Sequence, residues 1–288
     1  MLRQSRPVEL KPWTPADLVE RFGQIPLYRV RTDPEPGTAT EEDLLYINRN
    51  RLGLCELVDG TLIEKDFDCP LPPSGKHWKP KDLVSRFGQI PLRRVRTRPP
   101  PGSATEEDLI ELNERGTTLY ELVDGTLVEK AMGWNEAVLE SQIGSILTSF
   151  VNSRKLGIVA SASGPYRLAA SKVRLPDVSF VSAARLSTMP ATDEPICSAI
   201  PDLVIAVIAK SNTRREMEQK LEEYFTAGVR LVWYVYPRKR ETHVFVSPTS
   251  CQVLTENETI DGGDVLPDFK LALKELFAVL AQRSTTNE

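Results

Sequence analysis

Residues 174–181 read RLPDVSFV and residues 201–209 read PDLVIAVIA. Each Pro-Asp pair leads into an apolar, largely β-branched run of strand length. Proline is tolerated at the first residue of a strand, and a nearly unbroken apolar run marks a strand covered on both faces. The two stretches are therefore read as two strands of one buried sheet. Asp177 opens the first strand. The middle of the second, on the face turned towards it, holds Ala206.

Working outward, Val138, Leu139, Ile143, Ile146, Leu147 and Phe150 recur at helical spacing and predict an amphipathic helix over 134–155. Short strand patterns follow at GIVASA and YRL. After PDLVIAVIA, the segment TRREMEQKLEEYFTAG reads as a helix stopped by Gly228. LVWYVY and THVFV read as strands, and LALKELFAVLA as a closing helix. Strands and helices mix around one sheet, so the class is α/β or α+β.

The first 130 residues contain the same text twice. WTPADLVERFGQIPLYRVRT begins at Trp13 and WKPKDLVSRFGQIPLRRVRT at Trp78, and the match runs on through CELVDGTLIEK and YELVDGTLVEK. The offset is constant at 65 residues without a gap, and about two-thirds of aligned positions are identical, which reads as a tandem duplication. Each copy parses as a short helix, a Pro-rich extended segment, a second helix and a hairpin. Thr40 and Thr105, each with an acid three residues on, predict capping boxes. Asp59-Gly60 and Asp124-Gly125 suit type I′ turns. The organisation expected is a partial repeat and linker over 1–76, a second copy over 77–130 leading into a core domain over 105–280, and a tail over 281–288. The first copy is expected to be dispensable for folding of the core.

Four cysteines without a CxxC pair and only two histidines exclude the common zinc sites and histidine-based triads. The net charge of −4 gives no general attraction to a polyanion, so any nucleic-acid contact rests on local patches. The apolar runs are too short to span a bilayer and the start MLRQSRPVELKPW lacks an apolar core, so a cytoplasmic protein is expected.

Taken in order, ELVDGTLVEK, RLPDVSFVSAARL, PDLVIAV, SNTRREMEQKLEEYFTAGVRLVWYV and DGGDVLPDFKLALKELFA resemble the Uma-type restriction endonuclease family of the PD-(D/E)XK superfamily. The resemblance covers roughly 105–280. It implies an α/β, restriction-endonuclease-like core with a mixed central sheet flanked by helices, and a Mg²⁺-dependent endonuclease acting on DNA, with a homodimer as one expected assembly. Asp177 matches the family's first metal-binding acid, Lys220 its helix-borne lysine, and Glu121 an acidic position near the same site. In such a site the metal activates water and a lysine steadies the attacking oxygen. Ala206 stands where the second acid is expected, Ala209 and Lys210 replace a serine and a proline, and Tyr236 replaces an aspartate.

Asp202 cannot substitute for the absent acid, because four residues of strand place it roughly 13 Å away. Glu216, one turn from Lys220, could reach the site; its competing reading is a solvated helix-face charge paired with that lysine. Two functions stand: an endonuclease with an incomplete site, or a catalytically inactive nuclease fold kept for binding nucleic acid or protein. Without a metal-binding partner, Asp177 is expected to be removable at little cost in stability.

Overall fold

The computed structural model describes residues 12–50, 54–65, 75–188 and 194–280. The chain forms two compact units, Met1–Ser103 and Ala104–Glu288.

The first unit holds α1 (Pro15–Phe22), α2 (Glu41–Arg49), a hairpin of β1 (Cys55–Val58) and β2 (Thr61–Glu64), and α3 (Pro80–Phe87). Helices α1 and α3 start with proline, whose fixed φ suits the first turn, and end on Gly23 and Gly88 at φ 63° and 64°. Thr40 caps α2 through a box with Asp43. The β1–β2 turn puts Asp59 and Gly60 at φ 46° and 70°, the positive pair that a type I′ turn requires. The 66–77 linker expected from sequence falls mostly outside the described residues.

In the second unit, α4 (Glu106–Arg115), β3 (Tyr120–Val123) and β4 (Thr126–Glu129) repeat that pattern, with the same Thr105–Asp108 box and the same turn at Asp124-Gly125. Here the hairpin gains neighbours. After α5 (Trp134–Arg154) and β5 (Gly157–Ser161), β6 (Tyr166–Ala169) and β7 (Lys172–Arg174) extend it to a four-stranded sheet, β4-β3-β7-β6.

The chain continues through β8 (Val178–Ser182), α6 (Ala183–Leu186), β9 (Leu203–Val207), α7 (Arg214–Ala227), β10 (Leu231–Tyr236), β11 (Glu241–Ser247) and β12 (Ser250–Thr255). These strands and β5 form a six-stranded mixed sheet in the order β12-β11-β10-β9-β8-β5. Only β9 and β10 pair in parallel, and α7 is the crossover that this requires. A small sheet of β13 (Thr259–Asp261) and β14 (Lys270–Ala272) precedes α8 (Leu273–Ala278). Leu271 and Ala272, expected in the closing helix, belong to β14, because the strand pairing of Leu271 with Ile260 buries that leucine before the helix begins.

The two Pro-Asp stretches are β8 and β9, adjacent and antiparallel. Alternate residues share a face. Val178, Phe180, Leu203, Ile205, Leu231 and Trp233 pack with Leu139, Ile143 and Leu147 of α5 and Leu276 and Phe277 of α8. The opposite positions Val204, Ala206, Val232 and Tyr234 pack with Met217, Leu221 and Tyr224 of α7. Gly228 closes α7 in the left-handed region at φ 102°.

Candidate active site

The register settles where Ala206 lies. Val178 pairs with Ile205, Ser179 with Val204 and Phe180 with Leu203. The ladder ends at Val178–Ile205; just before it the Asp177 amide donates to the Ile205 carbonyl at 3.1 Å, so Asp177 borders the end of β9 that contains Ala206. Its carboxylate reaches the Val207 amide, one residue past Ala206, so Ala206 lies between the two residues of β9 that Asp177 hydrogen-bonds.

Both oxygens of that carboxylate are engaged. The Val207 amide donates to Oδ2 at 2.5 Å, and Lys130 Nζ lies 2.7 Å from Oδ1. The lysine contact is an ion pair lacking the alignment of a hydrogen bond. Lys130 follows β4 directly, and its side chain is only 5 % exposed. On α5, Glu140 accepts from the Ala162 amide at 3.3 Å. Burial raises its pKa; Lys130 opposes that shift and Asp177 adds to it.

Glu121 heads a second cluster. On β3 and 2 % exposed, it has Lys220 Nζ 2.8 Å from Oε1 and accepts from Arg174 Nη1 at Oε2 (2.9 Å) and from the Leu175 amide at Oε1 (2.9 Å). Burial would raise its pKa, but Lys220 and Arg174 overcome that and hold it at about 2. Arg174 also donates from Nε and Nη2 to Glu223 Oε2, at 2.9 and 2.6 Å. Glu223 in turn takes Lys172 at 3.0 Å and the Gln219 amide at 3.3 Å. Buried charges persist only when paired, and each of these is.

The structure thus brings Glu121 and Lys220 into direct contact and sets Asp177 against Lys130 and the Val207 amide. Glu216 is buried and engaged at the start of α7: its Oε2 accepts from the Thr213 amide and from Asn212 Nδ2, at 3.3 and 3.4 Å. It is not the solvated surface charge of the competing reading. Asp202 is buried too, accepting from the Ser182 amide at 2.9 Å and pairing with Arg185 at 3.1 Å. Lys210 is exposed beyond the end of β9. Tyr236 lines a cavity of about 680 Å³ with Met217, Tyr234, His243 and Phe245. Sequence reading missed Lys130, Arg174, Glu140 and Glu223, although Lys130, Arg174 and Glu223 lie inside quoted motifs.

The donor set does not fit Mg²⁺. That ion needs near-octahedral oxygen ligands supplied by one or two carboxylates and water. Here the neighbouring stretch of β9 carries no acid, Lys130 is the cation beside Asp177, and Glu121 is saturated by two cations and an amide. Among the described residues no group of three or more His, Cys, Asp or Glu side chains is placed to hold a metal ion.

A mixed sheet carrying buried acids and a helix-borne lysine is a nuclease-like arrangement. The Uma2 family, described as "Putative restriction endonuclease", matches residues 106–274, more than half of the chain, and the chain belongs to that family. The fold is also similar to the crystal structure of "a putative nuclease belonging to DUF820" from Anabaena variabilis ATCC 29413. The TM-score is 0.53 at 16 % identity, covering 61 % of this chain and 98 % of that one. No curated protein matches this sequence. Among the described residues no helix is long and apolar enough to cross a membrane.

The geometry revises the expectation that Asp177 is removable at little cost. Asp177→Ala leaves the Lys130 ammonium and the Val207 amide buried without their partner, so a loss of about 3 kcal/mol is expected in urea unfolding, the scale of a broken buried pair. Lys130→Met in the same chain should recover most of it. An undiminished loss in the double variant would show that the pair is not the cause.

Proposed function

We propose that this chain is a nuclease-fold protein in which ion pairs have closed the phosphodiesterase centre, leaving DNA binding without metal-dependent hydrolysis. The observation that carries this reading is a buried Asp177 whose two oxygens are held by Lys130 and the Val207 amide, beside a stretch of β9 that offers Ala206 and no acid. Family membership supports DNA as the ligand class. Asp177 is tied to Lys130 and the Val207 amide, and Glu121 to Lys220, Arg174 and the Leu175 amide, so these two carboxylates hold the fold of the centre in place of a cation or a water.

Glu140 favours a second reading. It is a half-buried acid that feels both Lys130 and Asp177, and a weak nuclease would use those two carboxylates once Lys130 moved aside.

Full-length protein incubated with plasmid DNA and Mg²⁺ or Mn²⁺ separates the two, alongside anisotropy of a labelled duplex across a salt series. Binding that weakens with salt, with no nicking, is the expected result. Nicking abolished by Glu140→Gln would establish the second reading. Absence of binding even at low salt would remove DNA as the ligand.

A further inference from the structure

Within the first unit, hydrogen bonds between the two repeated stretches come in reciprocal pairs. The Leu27 amide donates to the Trp78 carbonyl at 2.9 Å, and the Leu92 amide to the Trp13 carbonyl at 2.8 Å. Ala16 N donates to Gln89 Oε1 at 3.2 Å, and Lys81 N to Gln24 Oε1 at 3.4 Å. Thr32 Oγ1 donates to the Val95 carbonyl at 3.1 Å, and Thr97 Oγ1 to the Val30 carbonyl at 2.8 Å. In every pair the second bond is the first with the copies exchanged at the 65-residue offset. Helices α1 and α3, equivalent in the two copies, pack on each other, and their matched leucines Leu18 and Leu83 are fully buried. Residue i touching j while j touches i is the signature of a twofold, isologous interface.

We infer that residues 78–98 form a self-association surface whose fitting partner is a second copy of itself, and that residues 13–33 occupy it in cis. Charge selects the pairing. Arg98 forms an ion pair with Glu64 of the first copy. A dimer of two second copies carries Arg98 on both sides of the axis in place of Asp33. Two first copies would instead set Asp33, which stands at the place of Arg98, against Glu64. Like charges disfavour that arrangement. The surface on 78–98 thus suits a copy of itself, and the first copy is a resident substitute for it. The Arg93–Glu35 contact at 4.0 Å is particular to the cis pairing, since Pro100 stands at the position of Glu35.

The test uses the full chain and exploits the asymmetry between matched positions. Leu18→Asp buries an unpaired carboxylate in the first copy and ejects it, leaving 78–98 intact and open. Leu83→Asp breaks the same pairing but spoils the surface itself. In sedimentation equilibrium at about 100 µM, above the weak end of interface affinities, Leu18→Asp is expected to show about twice the mass of wild type. Leu83→Asp and Leu18→Asp/Leu83→Asp should keep the wild-type mass. Wild-type mass for a cooperatively unfolding Leu18→Asp overturns the inference, as does a doubling that survives in the double variant. If Leu18→Asp loses its cooperative transition, Leu18→Ala/Gln24→Ala, which introduces no charge, is read by the same criterion.

Discussion

Replacing Ala206 with glutamate is expected to give a protein that nicks plasmid DNA in the presence of Mn²⁺ or Mg²⁺, at least about 100-fold faster than wild type, the scale on which one positioned group changes a rate. The new carboxylate would stand near Asp177, because Asp177 hydrogen-bonds the residues on either side of position 206, the Ile205 carbonyl and the Val207 amide. Lys130 would then lie between two acids, and its ammonium would compete with any added cation. The gain should accordingly be larger in Ala206→Glu/Lys130→Met. It should disappear in Ala206→Glu/Lys220→Ala if the lysine on α7 serves the reaction as well as neutralising Glu121. Calorimetric titration with Mn²⁺ gives an independent reading, with heat of binding expected for the variant and none for wild type. A wild-type protein that already binds metal and cuts DNA would sink the reading of a closed centre.

The second large effect concerns the Glu121 cluster. Removing Glu121 leaves Arg174 and Lys220 buried beside a lost counter-charge, and Glu121→Ala is expected to cost about 3–5 kcal/mol in urea unfolding. Acid reports the same cluster without mutation. The folded pKa of Glu121, about 2, lies below its ordinary value of 4.5. The folded state therefore holds this proton less tightly than the unfolded chain does. The stabilisation is fully present above pH 4.5 and is lost as the pH falls towards 2. Its size is on the order of 3 kcal/mol. Glu121→Gln should flatten the part of the stability profile that this group contributes between those pH values. An acid limb of unchanged steepness in that variant would assign the proton uptake to other carboxylates.

What could be read in the sequence was local. Proline before an apolar run announced β8 and β9, and Asp-Gly announced the hairpin turns, because φ above zero at two successive residues leaves few alternatives. The threonine caps and Gly228 were visible for the same reason: each satisfies a helix end within a few residues. That an acid is expected at Ala206 came from the family resemblance; strand alternation places that side chain on the face it shares with Val204.

The ion-pair cage was not legible. Arg174 meets Glu223 across 49 residues, and Lys130 meets Asp177 only after the hairpin and the sheet have come together. A lysine after a hairpin or a glutamate on a polar helix reads as solvated until the tertiary fold buries it. Glu216 shows the same blindness, since its burial at the start of α7 depends on what covers that turn.

Because both partners of the reciprocal surface reside in one polypeptide, their encounter is intramolecular and is governed by an effective concentration that dilution leaves untouched. A chain present at a few molecules per cell is as fully paired as one in a concentrated solution. A two-chain version would fall apart as its abundance dropped. The joined version also fixes a stoichiometry that mass action cannot alter: one six-stranded core to each paired platform.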